Sequence, residues 1–148
     1  DPARRLQAAY DGWHVVELQE AIASADVVAT ATGGKKVVNR QALDKSKDGV
    51  FILNVGHVAE EIDCEYLRQF RHEEVMPYIN AYRMGDKTVY LMANGSMLNL
   101  TAGFGDSLNA FDVTLAVMAS GIQHIVTDGM TAPADVYLLP QSVWQKAL

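Results

Sequence analysis

Residues Val50–Leu53 are apolar without interruption and run directly into Asn54, Val55, Gly56 and His57. A strand covered by helices on both faces loses the in/out alternation of a half-exposed one, so this run predicts a buried parallel strand ending in a loop. Asp26–Thr32 predicts a second such strand, ending at Gly33-Gly34. Ahead of it, Asp1-Pro2 opens a short helix with Leu6, Ala9 and Tyr10 on one face and a stop at Gly12. His14–Leu18 reads as a short strand and Gln19–Ala25 as a short helix. Lys35–Lys47 holds a loop and a helix around Asn39–Leu43, and Ile62–Phe70 reads as a helix with Ile62, Tyr66, Leu67 and Phe70 on one face.

The pattern then changes. Val75–Tyr82 and Thr88–Met92 are β-prone runs separated by Arg83–Lys87, whose glycine predicts a hairpin turn. Pro77 places the first run at an edge or at an irregular start. Gly95 breaks the chain before Met97–Leu100. Asp106 or Ser107 is expected to cap the longest helix, in which Leu108, Phe111, Leu115, Met118, Ile122 and Ile125 recur at steps of three and four. Burying each large side chain fully is worth about 1.5–3 kcal/mol, so this stripe is expected to be a main packing element. Gly121 interrupts it as a soft spot. The alternation of strands and helices indicates one α/β domain over residues 1–148. Its expected form is a partial, Rossmann-like doubly wound parallel sheet with an added β-hairpin and a long helix in the C-terminal half.

Bulk properties narrow the partners. A chain of 148 residues with 49% hydrophobic and 20% charged residues suits a globular domain with one core. The net charge of −6 argues against nucleic acid or an anionic membrane as the main partner. The apolar runs are too short to span a bilayer. Cys64 is the single cysteine, so no intrachain disulfide and no cysteine-rich metal site form, and a cytoplasmic setting is expected. His14, His72 and His124 lack partners at metal-ligand spacing, so no metal is expected.

Ligands of open α/β sheets collect at the carboxyl ends of the strands, which singles out two stretches. At Ala31-Thr32-Gly33-Gly34, glycines permit close backbone approach and a threonine hydroxyl can bond a ribose or phosphate oxygen; a plain turn is the alternative. At Asn54-Val55-Gly56-His57, the histidine reads either as a packing residue or as a functional one. Asn99 is either a turn asparagine or a ligand contact, and Asp106 is most simply a helix cap. The chain has no phosphate-binding loop, nucleophile elbow or G-x-G-x-x-G motif.

Taken together, these stretches resemble one family, the NAD-binding domain of S-adenosylhomocysteine hydrolase. Asp1–Gly12 is similar to the segment after that family's second Rossmann strand, and Thr30-Ala31-Thr32-Gly33 to its threonine-rich turn. Asn54-Val55-Gly56-His57 with Glu61-Ile62-Asp63 resembles its Asn-Ile-Gly-His…Glu-Ile-Asp signature. Ala93–Leu100 resembles its Ala-Glu-Gly-Arg-Leu-Val-Asn-Leu run, and Tyr137–Pro140 the Phe-Leu-Pro stretch before its tail.

The resemblance implies an NAD cofactor, a nucleoside substrate in a longer, homo-oligomeric parent, and thioether hydrolysis through transient oxidation of the nucleoside's 3′-hydroxyl. It implies that Arg4 lies near the cofactor's adenosine ribose and that Thr32, Gly33 and Gly34 line the cofactor's path. Val55, Gly56 and His57 would approach the nicotinamide and substrate, with His57 in a supporting catalytic role, and Asn99 would bond the carboxamide. Three departures accompany it. The glycine-rich βα turn would precede Asp1, which implies a fragment. Gly105-Asp106-Ser107 stands where the family has Gly-His-Pro, which puts a carboxylate near the substrate. The family's lysine–tyrosine tail and substrate domain have no counterpart here. An NAD-dependent 2-hydroxyacid dehydrogenase and a non-catalytic regulatory homologue stay open as alternatives.

Overall fold

The computed structural model describes residues 1–103, 108–128 and 133–145. Contacts divide the chain, expected as one domain, into two compact units, Asp1–Gly103 and Phe104–Leu148.

The first unit is built on a five-stranded sheet. Its strands are β1 (Val27–Thr30), β2 (Val50–Asn54), β3 (Arg71–Met76), β4 (Ile79–Met84) and β5 (Lys87–Met92). Their order is β1-β2-β5-β4-β3, with β1, β2 and β5 parallel and β5, β4 and β3 antiparallel. The apolar run at Val50 is the central parallel strand, as its pattern predicts. It is not buried on both faces, however. Val50, Ile52 and Asn54 are buried whereas Phe51 and Leu53 are half-buried, and Phe51 stacks on its register partner Tyr90 at 4.6 Å between ring centres.

The helices follow local chemistry. In α1 (Pro2–Tyr10) the Asp1 carboxylate caps the Ala3 N–H at 2.9 Å. Next come α2 (Leu18–Ala21) and α3 (Arg40–Lys45), the latter capped by Asn39 accepting from the Ala42 N–H. Lys87 closes the far end of α3, its Nζ donating to the carbonyls of Leu43 at 2.7 Å, Asp44 at 2.8 Å and Ser46 at 3.0 Å. A 3-10 turn (Ala59–Glu61) precedes α4 (Cys64–Leu67). The helix expected from Ile62 starts at Cys64 because Asp63 caps it, accepting from the Tyr66 N–H. Its apolar face holds even so: Ile62 and Leu67 are buried, and Tyr66 meets Phe70 edge-on. Ile22, Val28, Leu43, Val50, Ile52, Ile62, Leu67, Val89 and Leu91 form the core beneath the sheet.

Two expectations need correction. The strand expected over His14–Leu18 is not formed among the described residues, where β1 ladders to β2 and no described strand pairs with residues 14–18. A strand without a ladder partner leaves its backbone to water. The expected hairpin is a three-stranded meander. Val75–Tyr82 is split by Pro77 and Tyr78, the latter at φ +66°, and the charged Arg71–Met76 becomes the exposed edge strand. Glycine is required at the β4–β5 turn, where Gly85 has φ +66°.

In the second unit α6 (Leu108–Thr127) forms at full length beside α7 (Gln141–Trp144), numbered after α5 (Leu98–Thr101). The expected burial of its stripe does not occur among the described side chains: Phe111 is 52% exposed, Leu115 51%, Met118 57%, Ile122 62% and Ile125 55%. A unit of this size has little chain with which to cover a helix face. Gly121 lies beside the Leu139 side chain, where an added Cβ would make ordinary contact at 3.5 Å. The expected cap at Asp106 or Ser107 lies outside the described residues.

Candidate functional site

The carboxyl ends of β1 and β2 lie side by side, with Thr30 and Asn54 as register partners. Asn54 is fully buried and uses both ends of its amide. Its Oδ1 accepts from the Thr30 hydroxyl at 3.2 Å and the Gly56 N–H at 2.7 Å, while its Nδ2 donates to the carbonyls of Val58 at 2.9 Å and Gly95 at 3.1 Å. One side chain thereby ties β1, β2, the loop after β2 and the 3-10 turn Ala93–Gly95 together. A buried amide is stable only when its polar atoms are paired, which is why this position shapes the loop.

Beside it lies a residue that local pattern reading passed over as a site residue. Glu61 is fully buried. Its Oε1 accepts from the Gly33 N–H at 2.8 Å, and its Oε2 accepts from the Thr32 N–H at 2.9 Å and the Thr32 hydroxyl at 2.8 Å. Thr32 Oγ1 in turn accepts from the Gly34 N–H at 3.1 Å. Burial pushes the carboxyl's pKa up, and the Thr32 N–H, the Thr32 hydroxyl and the Gly33 N–H together outweigh it. The net effect holds Glu61 below the ordinary carboxylate value. The backbone around Glu61 is pinned as well: Val38 N–H donates to the Glu61 carbonyl at 3.0 Å, and Val38 and Ile62 form a parallel bridge.

This carboxylate explains Gly56. A Cβ there would overlap Glu61 Oε1 and stand 3.2 Å from Ala31 Cα, so any side chain at this position must displace the carboxylate. Gly33 is glycine for another reason, its φ of +70°, with open space where a Cβ would be.

A cleft of 430 Å³ is lined by Val55 of the β2 loop with Pro77, Tyr78, Ile79, Met92, Leu98, Asn99, Ala102 and Gly103. Its walls are mostly apolar, and Asn99, exposed in the first turn of α5, brings an amide that both donates and accepts. Apolar walls with a polar group among them suit a mostly apolar ligand that carries a hydrogen-bonding substituent.

The sequence-selected residues therefore divide. Val55 and Asn99, 44 positions apart, line one cleft. Thr32, Gly33 and Gly56 cluster around Glu61, with Thr32 and Gly33 exposed on their outer side. His57 is exposed on the same loop as Val55, and Gly34 is half-buried beside Val37. Arg4 is exposed on α1, which the neighbouring Arg5 ties to Glu17; neither Arg4 nor His57 lines the cleft. Asp106 is outside the described residues. Glu61 was legible only as part of a Glu-Ile-Asp signature, because nothing in its neighbourhood shows that it turns inward. Among the described residues no acidic, histidine and cysteine side chains group as a metal site, and no helix is long and apolar enough to cross a membrane.

Known proteins bear on this geometry. The family model described as S-adenosyl-L-homocysteine hydrolase, NAD binding domain, matches residues 1–105. S-inosyl-L-homocysteine hydrolase of Methanopyrus kandleri is 35% identical over 147 residues, covering 97% of this chain and 35% of the relative. Adenosylhomocysteinase of Archaeoglobus fulgidus is 32% identical over 97% of this chain and 36% of the relative. The Thermotoga maritima adenosylhomocysteinase is 31% identical with the same coverage of both chains. The chain thus spans about a third of the length of these relatives.

Proposed function

Because the chain belongs to the NAD-binding-domain family of S-adenosyl-L-homocysteine hydrolase, we propose that it holds NAD for an enzyme that cleaves the thioether of a purine nucleosyl homocysteine. The observation that carries this reading is the cleft between Val55 and Asn99 at the end of the central parallel strand. Its chemistry fits the nicotinamide end of the cofactor, which when bound takes and returns a hydride at the nucleoside's 3′ carbon and so acidifies the adjacent C–H.

The chain's own contribution is to seat and shield that ring. Val55, Ile79, Met92 and Leu98 give it an apolar bed, and the Asn99 amide pairs with both ends of a carboxamide. His57, two residues beyond Val55 on an exposed loop, supports the reacting end through a hydrogen bond or proton. Thr32, Gly33 and Gly34 offer an outer surface to the ribose, and Arg4 faces the adenosine half. The remaining acid–base groups come from a substrate region of the longer enzyme, which we take to be a cytoplasmic homo-oligomer acting on a nucleoside. Asp106 stands where the family resemblance places a histidine. With S-inosyl- and S-adenosyl-homocysteine hydrolases both among the relatives, the base of the nucleoside is set by the test.

The full-length polypeptide is expected to purify with NAD and to release homocysteine from S-adenosyl- or S-inosyl-homocysteine. His57→Ala is expected to lower turnover while leaving the melting temperature in place. Purification without NAD, together with no homocysteine from either substrate, overturns the reading. Turnover of a 2-oxo acid with NADH would point instead to a 2-hydroxyacid dehydrogenase.

A further inference from the structure

The two parallel strands β1 and β2 end in the turn of residues 31–34 and the loop of residues 55–58. One carboxylate joins them. The consecutive N–H groups of Thr32 and Gly33, with the Thr32 hydroxyl, converge on a single point, an arrangement that elsewhere seats phosphate and other anions. Here the point is taken by Glu61, at 2.8–2.9 Å from each donor. The seat is built from both sides. The Glu61 carbonyl accepts from the Val38 N–H, which fixes the backbone from which the carboxylate reaches, and at Gly56 the carboxylate occupies the space that a Cβ would take. The Gly56 N–H is held in turn by Asn54. The donors are amides and hydroxyls rather than a cation, so the negative charge is met by fixed dipoles.

We infer that Glu61 is a positioning residue, a built-in anion that fixes the β1 turn against the β2 loop and closes that turn to phosphate. The turn then offers a nucleotide only its uncharged outer side, at Thr32 and Gly33, and the cofactor's phosphates are held elsewhere. The identity of the nucleotide rests on the NAD reading above; the anion seat does not. Glu61 acts through Thr32, Gly33 and Gly56 and needs no contact with the ligand.

The test removes the anion and gives it back. In the full-length polypeptide, Glu61→Ala, Glu61→Gln and Glu61→Asp are compared by NAD titration and by amide hydrogen exchange over residues 31–34, each with and without formate. Glu61→Ala is expected to weaken NAD binding by about tenfold or more, with saturable recovery in formate and none in chloride at equal ionic strength, since formate alone refills the carboxylate's donors. Exchange at Thr32 and Gly33 should accelerate in the same variant and slow again with formate. Binding within about twofold of the parent, or a loss that formate leaves untouched in a folded variant, overturns the inference. Should Glu61→Ala fail to fold, Glu61→Gln carries the exchange test: unchanged protection of residues 31–34 sinks the idea. A parent that binds no NAD defeats the cofactor reading, while the exchange measurements still decide the seat.

Discussion

The turn after β1 and the cleft beside β2 are neighbours built on opposite plans. At the turn every strong donor is already answered: Thr32 and Gly33 by Glu61, Gly34 by Thr32, and Gly56 by Asn54. At the cleft the walls are apolar and the Asn99 amide is exposed. We read the first arrangement as a wall and propose the second as the place to bind. The residues that most resemble ligand contacts need not be those with unsatisfied chemistry, because a protein can complete an anion site with its own carboxylate.

If the contrast is sound, substitutions at the turn cost stability and substitutions in the cleft cost affinity. The largest effect is expected from Gly56→Val, whose side chain must displace the Glu61 carboxylate and press on Ala31. A loss of about 3 kcal/mol or more in urea denaturation is expected. A normal midpoint would mean that the loop relaxes freely and that Glu61 is not fixed.

Asn54→Ala comes next. It strips two donors and two acceptors of a buried partner, for an expected loss of about 2–4 kcal/mol by the same measurement. Glu61→Gln should cost about 1–3 kcal/mol at neutral pH, and its cost should depend on pH. The Glu61 carboxyl titrates lower in the folded chain than in the unfolded one. The unfolded state therefore binds the proton first as pH falls. The contribution is fully present above the ordinary carboxylate value of 4.5 and fades as pH drops below it towards the folded value. Denaturation of parent and variant from pH 7 to pH 3 should show the two converging in acid. Parallel curves would count against a charged Glu61.

The smallest change in stability is expected at Asn99→Ala, within about 0.5 kcal/mol of the parent, because the side chain is exposed. NAD binding should nonetheless fall by about tenfold. Equal affinity by calorimetry would move the binding place out of this cleft.

A second pair of regions shows how far sequence reading carries. β2 and α6 were both found from apolar periodicity, and both exist where expected. For β2 the pattern foretold burial on both faces and one face has it, where Val50 and Ile52 join Leu43 of α3 and Leu67 of α4 in the core. For α6 the pattern foretold a helix with an apolar face and nothing more, since within the second unit that face stays open. Residues 14–18 failed for a similar reason: β-prone side chains do not make a strand without a ladder partner. Residues 71–74 of the edge strand were missed for the converse reason, since their charged sequence lacks the apolar signal while β4 supplies the hydrogen bonds.

The sequence by itself determined the α/β class, the central parallel strand, the loops at the strand ends and the family. Each is written in local periodicity, in glycine placement and in short motifs of fixed order. Only the tertiary structure decided what those glycines are for. Gly56 is small because of Glu61, five residues on and folded back, and the Thr32-Gly33 donors are filled by that same carboxylate rather than left for a phosphate. Pairing of this kind depends on which side chain turns inward across a loop, and a linear pattern carries no record of that.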